Sequence, residues 1–141
     1  MSSTPISLRA VVFDCPDPSA LATFYADLLG CRSDLRDPTW CEVHASDGTF
    51  KLAFQRSLPY FPPKWPDGTP QQLHLDLTVT DLAACGRRAE ELGAIVLTGL
   101  MEEPDSVWVV YADPAGHPFC LCEDRETLDP PARIAQAPTD Q

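Results

Sequence analysis

Apolar residues along the chain switch between two periods. In residues 8–13, Leu-Arg-Ala-Val-Val-Phe, β-branched and aromatic side chains dominate, and the run stops at Asp14-Cys-Pro-Asp-Pro, which predicts a strand and then a turn. Beyond it the period lengthens, with Leu21, Phe24, Tyr25 and Leu28 recurring at helical spacing. Asp17 ahead of this stripe is a natural helix cap, Pro18 suits the first helical position, and Gly30 supplies the stop. Three strand-like runs, 31–35, 40–45 and 50–55, follow around an Asp47-Gly48 turn.

The second half repeats this order. Residues 73–79, Leu-His-Leu-Asp-Leu-Thr-Val, alternate strictly; Asp81 caps a stripe of Leu82, Cys85, Ala89 and Leu92, and Gly93 closes it. Strand-like runs at 95–98, 107–111 and 119–122 come next, with a turn at Asp113-Pro-Ala-Gly116. The two capping aspartates lie 64 residues apart and the two terminating glycines 63, which marks an internal duplication. The predicted architecture is α+β, two βαβββ modules, the first over 7–56 and the second over 72–123. The proline-dense stretch 57–71 between them reads as an extended linker, whose Tyr60, Phe61 and Trp65 either pin it to the surface or form a lid over a pocket. Residues 126–141 read as a loosely held tail.

A length of 141 residues fits one compact domain, taken here as 1–125, and 44% hydrophobic with 22% charged residues is enough to bury a core. No apolar run approaches the roughly 18 residues a membrane span needs, and the first residues carry no basic-then-apolar leader, so neither membrane nor secretion is expected. Ten basic residues against 21 acidic ones give a net charge of −11, a field that repels phosphate backbones; nucleic acid is not an expected partner, and a small molecule is. Six cysteines without a leader and without a Cys-x-x-Cys pair point to reduced thiols in the cytoplasm, and not to a disulfide framework or a zinc ribbon.

Alternation places His74, Asp76 and Thr78 on one face of their strand and Leu73, Leu75, Leu77 and Val79 on the other, toward the helices. Cys120 and Cys122 share a face opposite Phe119 and Leu121, and the pseudo-symmetry turns it toward His74. His74 with the two cysteines would make a three-ligand zinc site with water in the fourth position, although cysteines on buried strands commonly serve as small hydrophobes. Alternatively Cys120 is a nucleophile with His74 as its base. Gln55 offers an amide donor and acceptor, and Trp40 and Trp108 offer flat apolar walls with one donor each. His44 and His117 are less suggestive, the first sharing a face with Trp40 and Glu42, the second adjoining a glycine turn. Nucleophile elbows, phosphate loops and dinucleotide fingerprints are missing from the sequence.

The segments 17–30, 74–81, 88–93 and 113–120, in this order and spacing, resemble the vicinal oxygen chelate superfamily of glyoxalases, extradiol dioxygenases and bleomycin resistance proteins, over residues 8–123. The resemblance implies curved mixed sheets around a cavity that holds metal and substrate in the enzymes, or a drug in the resistance proteins. It also implies one metal ligand from each of four strands. Those positions fall here on Ala10, on Leu52 or Ala53, on His74 and on Cys120. Two are aliphatic and have no lone pair to donate, so no complete metal site is expected.

The resulting expectation is a glyoxalase-like protein that binds a neutral or anionic small molecule, with Trp40, Gln55, His74, Asp76, Trp108 and Cys122 as ligand contacts, His74 and Cys120 as catalytic candidates, and no cofactor. One alternative is a lyase or isomerase of the same superfamily using His74 with Cys120 or a divalent metal. Another is an acidic protein that sequesters a cationic antibiotic. Open sheet edges and the resemblance point to a homodimer.

Overall fold

The computed structural model describes residues 7–65 and 73–124. The tail 126–141 and residues 66–71 of the linker lie outside them. The described residues fall into two compact units, divided between Phe61 and Pro62.

The first unit runs β1 (Val11–Cys15), α1 (Pro18–Leu29), β2 (Arg32–Asp37), β3 (Trp40–His44) and β4 (Lys51–Arg56). Its sheet has the order β1-β4-β3-β2 and is mixed, because β1 lies parallel to β4 while the other pairs are antiparallel. The first strand starts later than the apolar run suggests and continues through Asp14 and Cys15, which were assigned to a turn. The cause is register: Asp14 pairs with Gln55 and Cys15 with Arg56, so the partner strand sets the end. Helix α1 begins as its sequence dictates, with the Asp17 carboxylate accepting from the Ala20 N–H at 3.2 Å. It ends on Gly30 at φ 66°, a left-handed conformation that glycine adopts without a Cβ penalty. Leu21, Phe24 and Tyr25 are buried, and the rings of Phe13, Tyr25 and Phe54 form a close triangle with centroids 5.2–5.7 Å apart.

The second unit runs β5 (Leu75–Thr78), α2 (Leu82–Glu91), β6 (Ile95–Val96), β7 (Met101–Glu103), β8 (Ser106–Ala112) and β9 (Pro118–Asp124). Its mixed sheet has the order β5-β9-β8-β6, with β5 parallel to β9 and with β7 also paired to β8. One strand more is present than the duplication predicts. The run expected over 95–98 stops at Val96 because the Leu97 and Thr98 N–H groups both converge on the Val110 carbonyl, and the Thr98 hydroxyl takes the Val110 N–H at 3.1 Å. That side-chain contact replaces a ladder bond, and β7 restarts the edge three residues beyond it. Helix α2 is capped by Asp81, whose carboxylate accepts from the Ala84 N–H at 3.0 Å, and Glu123 of β9 accepts from the Leu82 N–H at 2.9 Å.

All six cysteines are free; Cys15, Cys41 and Cys120 are buried and the other three partly exposed. Among the described residues no helix is long and apolar enough to cross a membrane.

Candidate functional site

The second unit's sheet brings its chemistry to the face turned away from Phe119 and Leu121. His74 lies just ahead of β5, Asp76 pairs with Cys120, and Cys120 pairs in turn with Val110 of β8. The adjacent row runs Thr78, Cys122, Trp108. Because side chains alternate across a strand, two registers of three strands suffice to converge these groups.

They line a cavity of about 300 Å³. Six of its lining residues, Trp65, His74, Asp76, Trp108, Cys120 and Cys122, are among those the sequence singles out; Ser106 and Val110 complete it. Trp65 comes from the proline-rich segment and sets its indole edge-on to the His74 ring, with centroids 5.7 Å apart. Trp65 thus lines the cavity, whereas Phe61 of the same segment is exposed. The Trp65 Nε1–H is buried and has no hydrogen-bond partner among the described residues. An orphaned buried donor costs about 1–3 kcal/mol, so this one is poised for an acceptor.

The imidazole Nε2 of His74 and the Asp76 carboxylate lie 3.2 Å apart. One ligand atom from each of His74, Asp76 and Cys120 falls within 4.8 Å of the others, a group able to hold a metal ion. The second sulfur of the expected zinc set, Cys122, is replaced here by Asp76, since strand register puts Cys120 and not Cys122 opposite that carboxylate. Burial, reinforced by the charge and hydrogen bond of Asp76, pushes the Cys120 thiol up to about 12. Burial, then Asp76 and Asp124, also raises the Cys122 thiol. Both shifts favour the protonated thiol over the nucleophilic thiolate.

Trp40 and Gln55 sit in the first unit, opposite one another on β3 and β4. The described lining of the cavity is drawn from the second unit alone. The Trp40 indole donates to Glu42 at 2.8 Å, and Glu42 also meets His44 at 2.9 Å and Lys51 at 3.9 Å. The Trp40 hydrogen bond, with His44 and Lys51 adding to it, holds the Glu42 carboxyl below the usual carboxylate range. The sequence placed Glu42 on the right face but gave no sign that it would knit that face together.

The four-strand ligand set implied by the resemblance does not fit these residues. Ala10 precedes β1, and Leu52 and Ala53 on β4 are buried and apolar, leaving His74 and Cys120 as the only donors at those positions.

Comparison with solved structures shows the same fold. A glyoxalase/bleomycin resistance protein/dioxygenase family enzyme from Burkholderia phytofirmans PsJN is similar with a TM-score of 0.64 at 16% identity, over 81% of this chain and 95% of that one. A glyoxalase-related enzyme from Fulvimarina pelagi gives 0.64 at 19% identity, over 83% and 87%. A glyoxalase/bleomycin resistance protein/dioxygenase from Nocardioides gives 0.62 at 12% identity, over 87% and 86%. None of the curated proteins compared with the chain matches it. The family model described as the glyoxalase-like domain matches residues 10–122. With duplicated capped helices, two mixed sheets and a family match across most of its length, the chain belongs to the glyoxalase-like domain family.

Proposed function

We propose that this protein binds a flat, largely apolar small molecule carrying an oxygen acceptor, in the cavity formed by β5, β8 and β9. The observation that carries the reading is the unpartnered, buried Trp65 indole N–H beside a cavity with a second indole, Trp108, for a wall. Asp76 and the absence of Lys and Arg from the described lining favour a neutral ligand over an anionic one. A panel of small phenols, quinones and heteroaromatic carbonyls, read by tryptophan fluorescence and by shift of the melting temperature, tests it. A hit should lose about 1–3 kcal/mol of affinity on His74→Gln with the fold intact. A lowered melting temperature with unchanged affinity would make His74 purely structural.

A second reading, a metal-assisted lyase or isomerase of the same superfamily, is supported by the His74, Asp76 and Cys120 group. Sequestration of a cationic antibiotic rests on the net charge of −11; titration calorimetry with cationic glycopeptides at low and high salt removes it if no heat appears at either. The proposed setting is the cytoplasm, in keeping with six free thiols. The proposed assembly is a homodimer, and light scattering showing a single species near the chain mass of 15.5 kDa at micromolar concentration would contradict it.

A further inference from the structure

We infer that the hollow between α2 and β8 is a second small-molecule site, one that takes an amphiphile with an apolar tail and a protonated amine head held by the Tyr111 hydroxyl and the Glu90 carboxylate. It lies apart from the cavity described above, because side chains alternate across β8: Trp108 and Val110 line the cavity, and Val107, Val109 and Tyr111 line the hollow.

Size and walls come first. At about 490 Å³ the hollow falls within the roughly 300–1,000 Å³ of small-molecule sites. Leu82 of α2 walls it together with Leu100, Val107 and Val109, and Leu100 is 59% exposed, so an apolar tail laid there removes apolar surface from water. The polar signal is Tyr111. It is 6% exposed and stacks on Phe119, yet its hydroxyl has no hydrogen-bond partner among the described residues. Buried polar groups are seldom left so. Gly86 makes room for that hydroxyl, since a Cβ there would collide with it, and both residues line the hollow.

Charge selects the head group. Three carboxylates, Asp81, Glu90 and Glu123, line the hollow against one guanidinium, Arg87. Asp81 and Glu123 already accept the Ala84 and Leu82 N–H groups, whereas Glu90 has no hydrogen bond or ion pair among the described residues, with Arg87 or otherwise. Burial and then the Glu90 charge raise the Tyr111 phenol, which stays a neutral hydroxyl near neutrality with lone pairs to offer. An ammonium between Glu90 and Tyr111 donates to both; a carboxylate there would meet three like charges, and a neutral head would leave Glu90 unpaired.

The test is titration calorimetry of the full chain with octylamine, octanol and octanoate, each below its micellar range. Octylamine should bind saturably at one equivalent and at least about tenfold more tightly than the other two, the worth of one charge-assisted contact. Glu90→Gln should remove most of that preference and leave octanol binding unchanged, and Tyr111→Phe should weaken octylamine by several fold. Ala83→Trp, at an exposed helix position that lines the hollow, should block all three. Should Ala83→Trp fail to fold by circular dichroism, Glu90→Gln, also at an exposed position, carries the test. Octylamine binding that survives both Glu90→Gln and Ala83→Trp is general attraction to an acidic surface or occupancy of another site, and overturns the inference. So does tighter binding of octanoate, and so does the absence of saturable binding by any of the three, which would mean a hollow closed by another part of the chain or by a second copy.

Discussion

Helices α1 and α2 start alike, on Asp17 and Asp81, and pack differently. In the first unit Leu21, Phe24 and Tyr25 of α1 are buried, and Tyr25 stacks against Phe54 with centroids 5.7 Å apart. Sixty-four residues on, the matching positions hold Cys85, Arg88 and Ala89, and the buried residues of α2 are Gly86 and Ala89. Small side chains leave a hollow of about 490 Å³ against β8, walled by Leu100, Val107, Val109 and Tyr111. The opposite faces of the two sheets differ as well. In the first unit Trp40, His44 and Lys51 converge on the Glu42 carboxylate; in the second, a cavity keeps an indole donor unmet. Among the described residues, α1 is thus the more fully packed helix, and α2 borders an open hollow.

The comparison breaks most visibly if packing is removed from each helix in turn. Tyr25→Ala should cost about 3–5 kcal/mol in urea denaturation, the range for deleting a buried aromatic, whereas Leu82→Ala in α2 should cost under about 2. Equal losses would erase the distinction. A subtler probe is Gly86, where a Cβ would collide with the Tyr111 hydroxyl. Gly-to-Ala in a helix interior ordinarily stabilises by up to about 1 kcal/mol; here Gly86→Ala should destabilise by about 1–2, because Tyr111 is buried and stacked on Phe119. Adding Tyr111→Phe should return most of that loss, and a double-mutant cycle showing no coupling would mean that the hollow gives way freely.

The smallest expected effect lies on the first sheet's polar face. Since Glu42 is held below its ordinary value, its contribution is present above the ordinary carboxylate range and fades as pH falls through the lower, folded value. Glu42→Gln should therefore cost up to about 1 kcal/mol at pH 7 and progressively less on acidification. A difference that grows toward low pH would reverse the assigned direction.

Much of this was legible in the sequence because it is local. Aspartate caps, terminating glycines and the alternation of His74 and Asp76 depend on neighbours a few residues away, and the structure keeps them. The strand Met101–Glu103 was not legible: it exists because Thr98 reaches the backbone of Val110, a contact across twelve residues. Nor was the choice between Cys120 and Cys122, which share a face, since only the pairing of β5 with β9 decides which lies beside Asp76. Trp65 could be named as an aromatic in a proline-rich stretch, but its place over His74 depends on tertiary packing that no period encodes.

The turn between β8 and β9 carries a consequence for how this site could change. Asp113, 2% exposed, accepts from the Ala115 and His117 N–H groups at 2.8 and 2.9 Å and meets the His117 ring at 2.8 Å, while the Asp113 N–H donates to the His117 carbonyl. This knot fixes the phase of β9 relative to β8, and β9 delivers Cys120 three residues later. Because a one-residue slip exchanges the faces of a strand, an insertion between Asp113 and Pro118 that the loop failed to absorb, and that slipped β9 by one residue, would turn Phe119 and Leu121 toward the cavity and Cys120 away from it. The polar cavity would become an apolar wall with every site residue still in the chain. A loop that contributes no described lining residue thus helps decide which face of β9 meets the cavity.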